Sequence, residues 1–114
     1  MPLPLIQRRF ERYILSEPLD IARQVSNYVQ TIPGLMMEIS EGGLSTMLTE
    51  ELHIGEMVDV RFHLPGTGRI TTRAIVRNKH LFRYGFEFVE AGDTLRQQIK
   101  HACALLPRYQ GGWY

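Results

Sequence analysis

Glu38-Ile39-Ser40-Glu41-Gly42-Gly43 stands between two alternating apolar runs, and its reading decides whether this chain builds a sheet. Leu35, Met37 and Ile39 enter it at a period of two, and Leu44 restarts an apolar pattern on the far side, so the segment joins two strands. Adjacent glycines suit such a joint. They accept backbone angles closed to other residues, and they have no side chain to hold a bound group off the main chain. Ser40 adds a hydroxyl at the tip. Taken alone, the stretch is an ordinary hairpin turn, and it becomes a site only in company with a second element.

Outward from the turn on the N-terminal side, Tyr13, Leu15, Leu19 and Ile21 have strand spacing around Pro18, and Val25 extends the same face. This predicts a first strand between Tyr13 and Val25 with Pro18 at an edge or bulge. Residues 27–34 read as a connection containing a short strand at Tyr28 and Val29, because Pro33-Gly34 is a strong turn signal. On the C-terminal side, Leu44 to Leu48 reads as a strand and Thr49 to Gly55 as a polar connection around Leu52 and Ile54. Val58, Val60, Phe62 and Leu64 then alternate with Asp59, Arg61 and His63, which buries one face and solvates the other. After the turn Pro65-Gly66-Thr67-Gly68, Arg69 to Arg77 is β-branched in character. Asn78 to Arg83 leads on to the last strand, Tyr84-Gly85-Phe86-Glu87-Phe88. About six antiparallel strands result.

Beyond Glu90 the period lengthens to about 3.6 residues. Leu95, Ile99, Ala102, Cys103 and Leu106 fall on one helical face, Asp93 is placed to cap the start and Pro107 to stop the run. Such a helix covers an opening or edge of the sheet, or packs on a second copy of the chain.

The 114 residues suffice for one domain with one core, and 44% hydrophobic with 22% charged residues is a globular composition. Thirteen basic against twelve acidic residues leave a net charge of +1, which gives no case for general DNA, RNA or membrane-surface binding. Any anion site is local. Eleven of the thirteen basic residues are arginines, the side chain suited to planar, two-pronged recognition. Cys103 is the only cysteine, so neither an internal disulfide nor a cysteine-based zinc site is available. His53, His63, His80 and His101 are scattered without metal-ligand spacing. No apolar run approaches the roughly 20 residues that span a bilayer, and Met1-Pro2-Leu3-Pro4-Leu5-Ile6 lacks the form of a secretion signal. A cytoplasmic protein without membrane insertion is the expectation.

The densest positive cluster is Gln7-Arg8-Arg9-Phe10-Glu11-Arg12-Tyr13, immediately before the first strand. Arg8 and Arg12 are placed to act as a clamp. A guanidinium fork donates paired hydrogen bonds to phosphate oxygens or to guanine O6 and N7, and its flat face stacks on bases. Arg9 belongs to the same cluster and counts among the candidate contacts, although with Glu11 it also fits a solvated neighbour. The turn supplies what the clamp lacks: Ser40 donates or accepts, Gly43 admits close approach, and Glu38 accepts from the N1 and N2 donors of guanine.

These features together resemble the bacterial PilZ domain family. The resemblance rests on the Arg-Arg-x-x-Arg arm, the turn at 38–43, Gly55-Glu56-Met57-Val58-Asp59-Val60, Arg73-Ala74-Ile75-Val76-Arg77 and Tyr84-Gly85-Phe86-Glu87-Phe88. It covers about residues 7–105, and it implies a six-stranded antiparallel β-barrel with a C-terminal α-helix. The domain then spans 7–106, with a flexible arm at 1–6 and a tail at 107–114. The resemblance also implies a receptor for the bacterial second messenger cyclic di-GMP, with no cofactor and no catalysis. Arg8 and Arg12 match the family's Arg-x-x-x-Arg motif, and Ser40 and Gly43 match its Asp/Asn-x-Ser-x-x-Gly turn. Glu38 departs from that motif by one methylene. Arg77, at a strand end, is a further candidate for stacking on a guanine. The implied partner is an unidentified effector protein or a second copy of the chain. The rival reading is an adaptor of the same fold that binds no nucleotide; relatives of that kind typically lack the arginine arm. An enzyme is disfavoured, since Ser40, Ser45, Cys103 and the histidines form no nucleophile motif.

Overall fold

Alternation of buried and exposed residues builds six strands, which a computed structural model closes into a barrel; it describes residues 11–89 and 91–107. The strands are β1 (Tyr13–Val25), β2 (Tyr28–Ile39), β3 (Gly43–Leu48), β4 (Met57–Leu64), β5 (Gly68–His80) and β6 (Arg83–Phe88). One helix, α1 (Asp93–Cys103), follows. The order around the barrel is β1-β2-β3-β6-β5-β4, all neighbours are antiparallel, and β4 returns to β1 through pairs such as Leu19 with Phe62. Closure gives each strand a neighbour on both sides over part of its length. The expected arm at 1–6, with Arg8 and Arg9, lies outside the described residues, as does the tail beyond Pro107.

β4 has the expected form, with Val58, Val60, Phe62 and Leu64 buried and Asp59, Arg61 and His63 on the other face. β1 also matches its expected bounds, and a register shift against β2 lies between Ile14 and Glu17, next to Pro18. Pairing of β1 with β4 begins only at Leu19, so Pro18 sits where its missing N–H costs least.

β2 corrects the reading of residues 27–34. It is one continuous strand of 12 residues, and Pro33-Gly34 lies inside it. Pairing with β3 starts at Gly34 opposite Leu48, so Pro33 occupies a stretch with only β1 beside it. Gly34 is needed because a Cβ there would strike the Leu48 side chain and the Met47 carbonyl. The connection is the two-residue turn Ser26-Asn27, where Ser26 takes a positive φ of 54°. The inward face of β2 also differs from expectation. Ile32, Met36 and Ile39 are buried, whereas Leu35 is exposed and Met37 half-buried. A bulge between Met36 and Glu38 inserts one residue and so moves the inward series from even to odd positions.

β5 is likewise longer than expected. It continues through Asn78 to His80 and turns at Leu81-Phe82, with Leu81 at φ 57°, so Arg83 is the first residue of β6 rather than part of a connection.

α1 packs on the core of its own barrel. Ile99, Ala102 and Cys103 are buried in it, with Leu95 and Leu106 partly buried alongside, and the Ile14 N–H donates to the Pro107 carbonyl at 2.8 Å. That bond ties the chain after the helix to the start of β1. Asp93 is not the cap: Gly92 holds that position, and Asp93 lies in the first turn, where its charge favours the helix dipole. Among the described residues, no helix is long and apolar enough to cross a membrane.

Candidate functional site

Register brings the start of β1 onto the turn between β2 and β3. Tyr13 pairs with Ile39 and Ile14 with Glu38, so Arg12, one residue earlier, arrives beside the Ser40 turn. Two of the sequence-predicted elements therefore meet in space, although 26 residues separate Arg12 from Glu38.

The turn is built by its own polar atoms. The Ser40 N–H donates to the Gly43 carbonyl at 2.8 Å, the Gly42 N–H donates to Ser40 Oγ at 3.2 Å, and Ser40 Oγ donates to the Gly43 carbonyl at 3.3 Å. The Phe88 N–H donates to the Gly42 carbonyl at 2.9 Å, which fixes the turn against β6. Gly43 serves here for a reason other than backbone freedom. Its φ is not positive, and a Cβ would collide with the Phe86 carbonyl of the neighbouring strand. Close strand approach, rather than a special angle, makes glycine necessary at this position.

Glu38 is only 4% exposed. It pairs with Ser45 across the β2–β3 ladder, opposite in sense to the inward Leu44 and Thr46, and so belongs to the outer surface. Its carboxylate is covered by two guanidinia. Arg12 Nη1 donates to Oε1 at 2.7 Å, and Arg83 Nη2 donates to Oε2 at 2.8 Å. A carboxylate taken this far out of water requires such partners. The sequence placed Glu38 ready to accept from a base; here both of its oxygens are engaged.

Arg83 was not among the sequence candidates. Tyr84, Phe86 and Phe88 point inward, so the parity of β6 places Arg83 outward. Only the register shows what it reaches: Arg83 pairs with Met47 and Ser45 pairs with Glu38, so the arginine extends across β3 to β2.

Arg77 lies at the irregularity between Val76 and Asn78, and its Nε donates to Glu87 Oε1 at 2.6 Å. Glu87 pairs with Gly43, which puts Arg77 on the outer face one strand beyond the turn. Both partners are more than half exposed, so the pair contributes little to stability. Arg12, Glu38, Ser40, Gly43 and Arg77 thus share one region of the barrel surface, while Arg8 and Arg9 lie outside the described residues. Cys103 is buried, and its thiol is pushed up to about 11 by burial and then by Glu41, which disfavours the thiolate at neutral pH. Among the described residues, no group of three or more His, Cys, Asp or Glu side chains is arranged to hold a metal ion.

Comparison with known proteins identifies the fold. The family model described as PilZ domain matches residues 6–105. No curated protein matches the sequence significantly. Among solved structures, the PilZ domain with c-di-GMP of YcgR from Escherichia coli is similar at a TM-score of 0.72 and 15% identity, over 89% of this chain and 92% of that one. The Bacillus subtilis inhibitor of motility, MotI/DgrA, is similar at a TM-score of 0.73 and 21% identity, over 92% of this chain and 56% of that one. The MrkH–c-di-GMP complex of K. pneumonia has a TM-score of 0.67 and 18% identity, over 85% of this chain and 51% of that one. This chain therefore spans about half the length of the latter two.

Proposed function

Because the chain belongs to the PilZ domain family, we propose that it is a receptor for cyclic di-GMP that relays ligand occupancy to a protein partner. The observation that carries this reading is the meeting of Arg12 with the Ser40 turn, which joins the second arginine of the arm to the second motif. The ligand-bound YcgR and MrkH structures share the fold and support the choice of ligand.

Arg8 and Arg12 grip the phosphates through charge-assisted hydrogen bonds, and Arg9 is a further candidate contact. Ser40 and Gly43 form the opposite wall. Arg77 exchanges its exposed ion pair with Glu87 for the face of a guanine. Arg12 leaves Glu38 Oε1 for phosphate, and the vacated oxygen accepts from the guanine N1 and N2 donors. Closing the arm over the ligand changes the surface presented to an effector protein in the cytoplasm, or to a second copy of the chain. The proposed role is binding rather than catalysis, with cyclic di-GMP as ligand and no cofactor.

A second reading is favoured by one observation. Glu38 already occupies Arg12, as it would in an adaptor that binds no nucleotide. Hydrogen exchange separates the two readings. On addition of cyclic di-GMP, exchange slows across residues 8–13 and the turn at 40–43 if the chain is a receptor; equally fast exchange in both conditions selects the adaptor.

A further inference from the structure

On the outer surface of β2, β3 and β6, Arg83 is a charged group for which the family motifs give no role. Arg83 begins β6 directly after the two-residue turn at Leu81-Phe82, so its backbone is set by pairing with His80 on one side and Met47 on the other. Its guanidinium crosses β3 and donates to Glu38 Oε2 at 2.8 Å. Ser45, the β3 residue that pairs with Glu38, has a buried hydroxyl without a hydrogen-bond partner among the described residues.

We propose that Arg83 is a positioning residue that holds the Glu38 carboxylate in place when Arg12 moves to phosphate, and that this hold lets Glu38 select guanine. The inference rests on the receptor reading above and goes beyond it by assigning how the base is chosen.

Three steps carry it. First, a carboxylate 4% exposed is not left without a counter-charge, so the loss of Arg12 to a ligand phosphate must leave another cation in place. Arg83 meets that need, because it binds the other oxygen and is anchored on a strand rather than on the approach to β1. Second, glutamate has one more rotatable bond than aspartate, and each free torsion weakens the definition of where the carboxylate lies. A fixed guanidinium on Oε2 removes that freedom and aims Oε1 at the position Arg12 vacates. Third, an aimed acceptor discriminates by what it demands: guanine offers N1–H and a 2-amino group, whereas a base lacking the 2-amino group leaves part of the acceptor unpaired.

The test is a cycle between protein and ligand, measured by calorimetric titration of the 114-residue chain. Cyclic di-GMP is compared with cyclic di-IMP, whose hypoxanthine bases lack only the 2-amino group, on wild type, Arg83→Gln and Arg83→Lys, with thermal unfolding of each variant alongside. In wild type, cyclic di-IMP is expected to bind about tenfold more weakly, equivalent to one lost hydrogen bond. Arg83→Gln should weaken cyclic di-GMP about tenfold and shrink the difference between the two ligands to less than about threefold, because an unheld carboxylate no longer reads the missing group. Arg83→Lys should restore most of that difference by keeping a cation on Oε2. An undiminished difference in Arg83→Gln, whatever its absolute affinity or melting temperature, would overturn the assignment while leaving the receptor reading intact. The absence of any difference in wild type would overturn it too. Wild type that binds neither ligand would remove the receptor reading, and this inference with it.

Discussion

Glu56 and Glu38 are both carboxylates held by arginine, and the manner of holding differs. Glu56, just before β4, receives Arg23 as a fork, with Nε on Oε2 at 2.8 Å and Nη2 on Oε1 at 3.0 Å. The His53 N–H adds a third contact to Oε1 at 3.1 Å, and Arg23 Nη1 also donates to the Glu51 carbonyl at 3.2 Å. Opening that cluster breaks two parallel bonds at once and frees a loop amide with them. Glu38 is more buried, yet its two oxygens are held by two different arginines, one on β6 and one on the approach to β1. One arginine can leave while the other keeps the carboxylate paired. The same chemistry therefore gives a staple when one arginine takes both oxygens and an exchangeable latch when two arginines share them.

The latch requires a rigid floor, and the sharpest test of that floor is Gly43→Ala. The added methyl meets the Phe86 carbonyl, so β3 and β6 must separate where the turn is anchored. A loss of about 3 kcal/mol in urea unfolding is expected, at the upper end for overpacking, together with weakened ligand binding. A neutral result would mean that the turn is pliable and the contrast with Glu56 overstated. Glu56→Ala comes next. It should cost about 2 kcal/mol by removing a bidentate pair and a loop contact, and leave ligand affinity within about twofold. Lost affinity with stability intact would break the comparison, because the staple would then be part of the site. The smallest effect is expected of Arg77→Ala: stability within about 0.5 kcal/mol, since its pair with Glu87 is solvated, and a loss of affinity of only a few-fold.

Much of this fold is legible in the residues. β4 could be read because Val58, Val60, Phe62 and Leu64 keep strict alternation beside polar partners, and α1 because Leu95, Ile99, Ala102 and Cys103 keep helical spacing. β2 could not be read in the same way. Pro33-Gly34 has the composition of a turn, but its place is decided by which neighbouring strand is present and how closely Leu48 approaches, neither of which is local information. The bulge beside Glu38 reverses the parity on which a periodicity argument depends. The true turns at Ser26-Asn27 and Leu81-Phe82 contain no glycine, although Ser26 and Leu81 both take positive φ.

The candidate site divides along the same line. The turn at 38–43 and the arginines before Tyr13 are visible as residue types, and their meeting follows from the pairing of Tyr13 with Ile39. Arg83 is visible only as an outward position. That it crosses β3 to Glu38 depends on two registers at once, β6 on β3 and β3 on β2.

The receptor claim is tested most directly by calorimetric titration of cyclic di-GMP into the 114-residue chain, beside Arg8→Ala and Arg12→Ala variants shown to be folded by thermal unfolding, with GTP as the control nucleotide. Saturable binding at micromolar or tighter affinity, lost in both variants and absent with GTP, is the predicted result. No binding by folded wild type, or binding that survives both substitutions, would contradict the account and leave the Arg12–Glu38 pair as a structural contact.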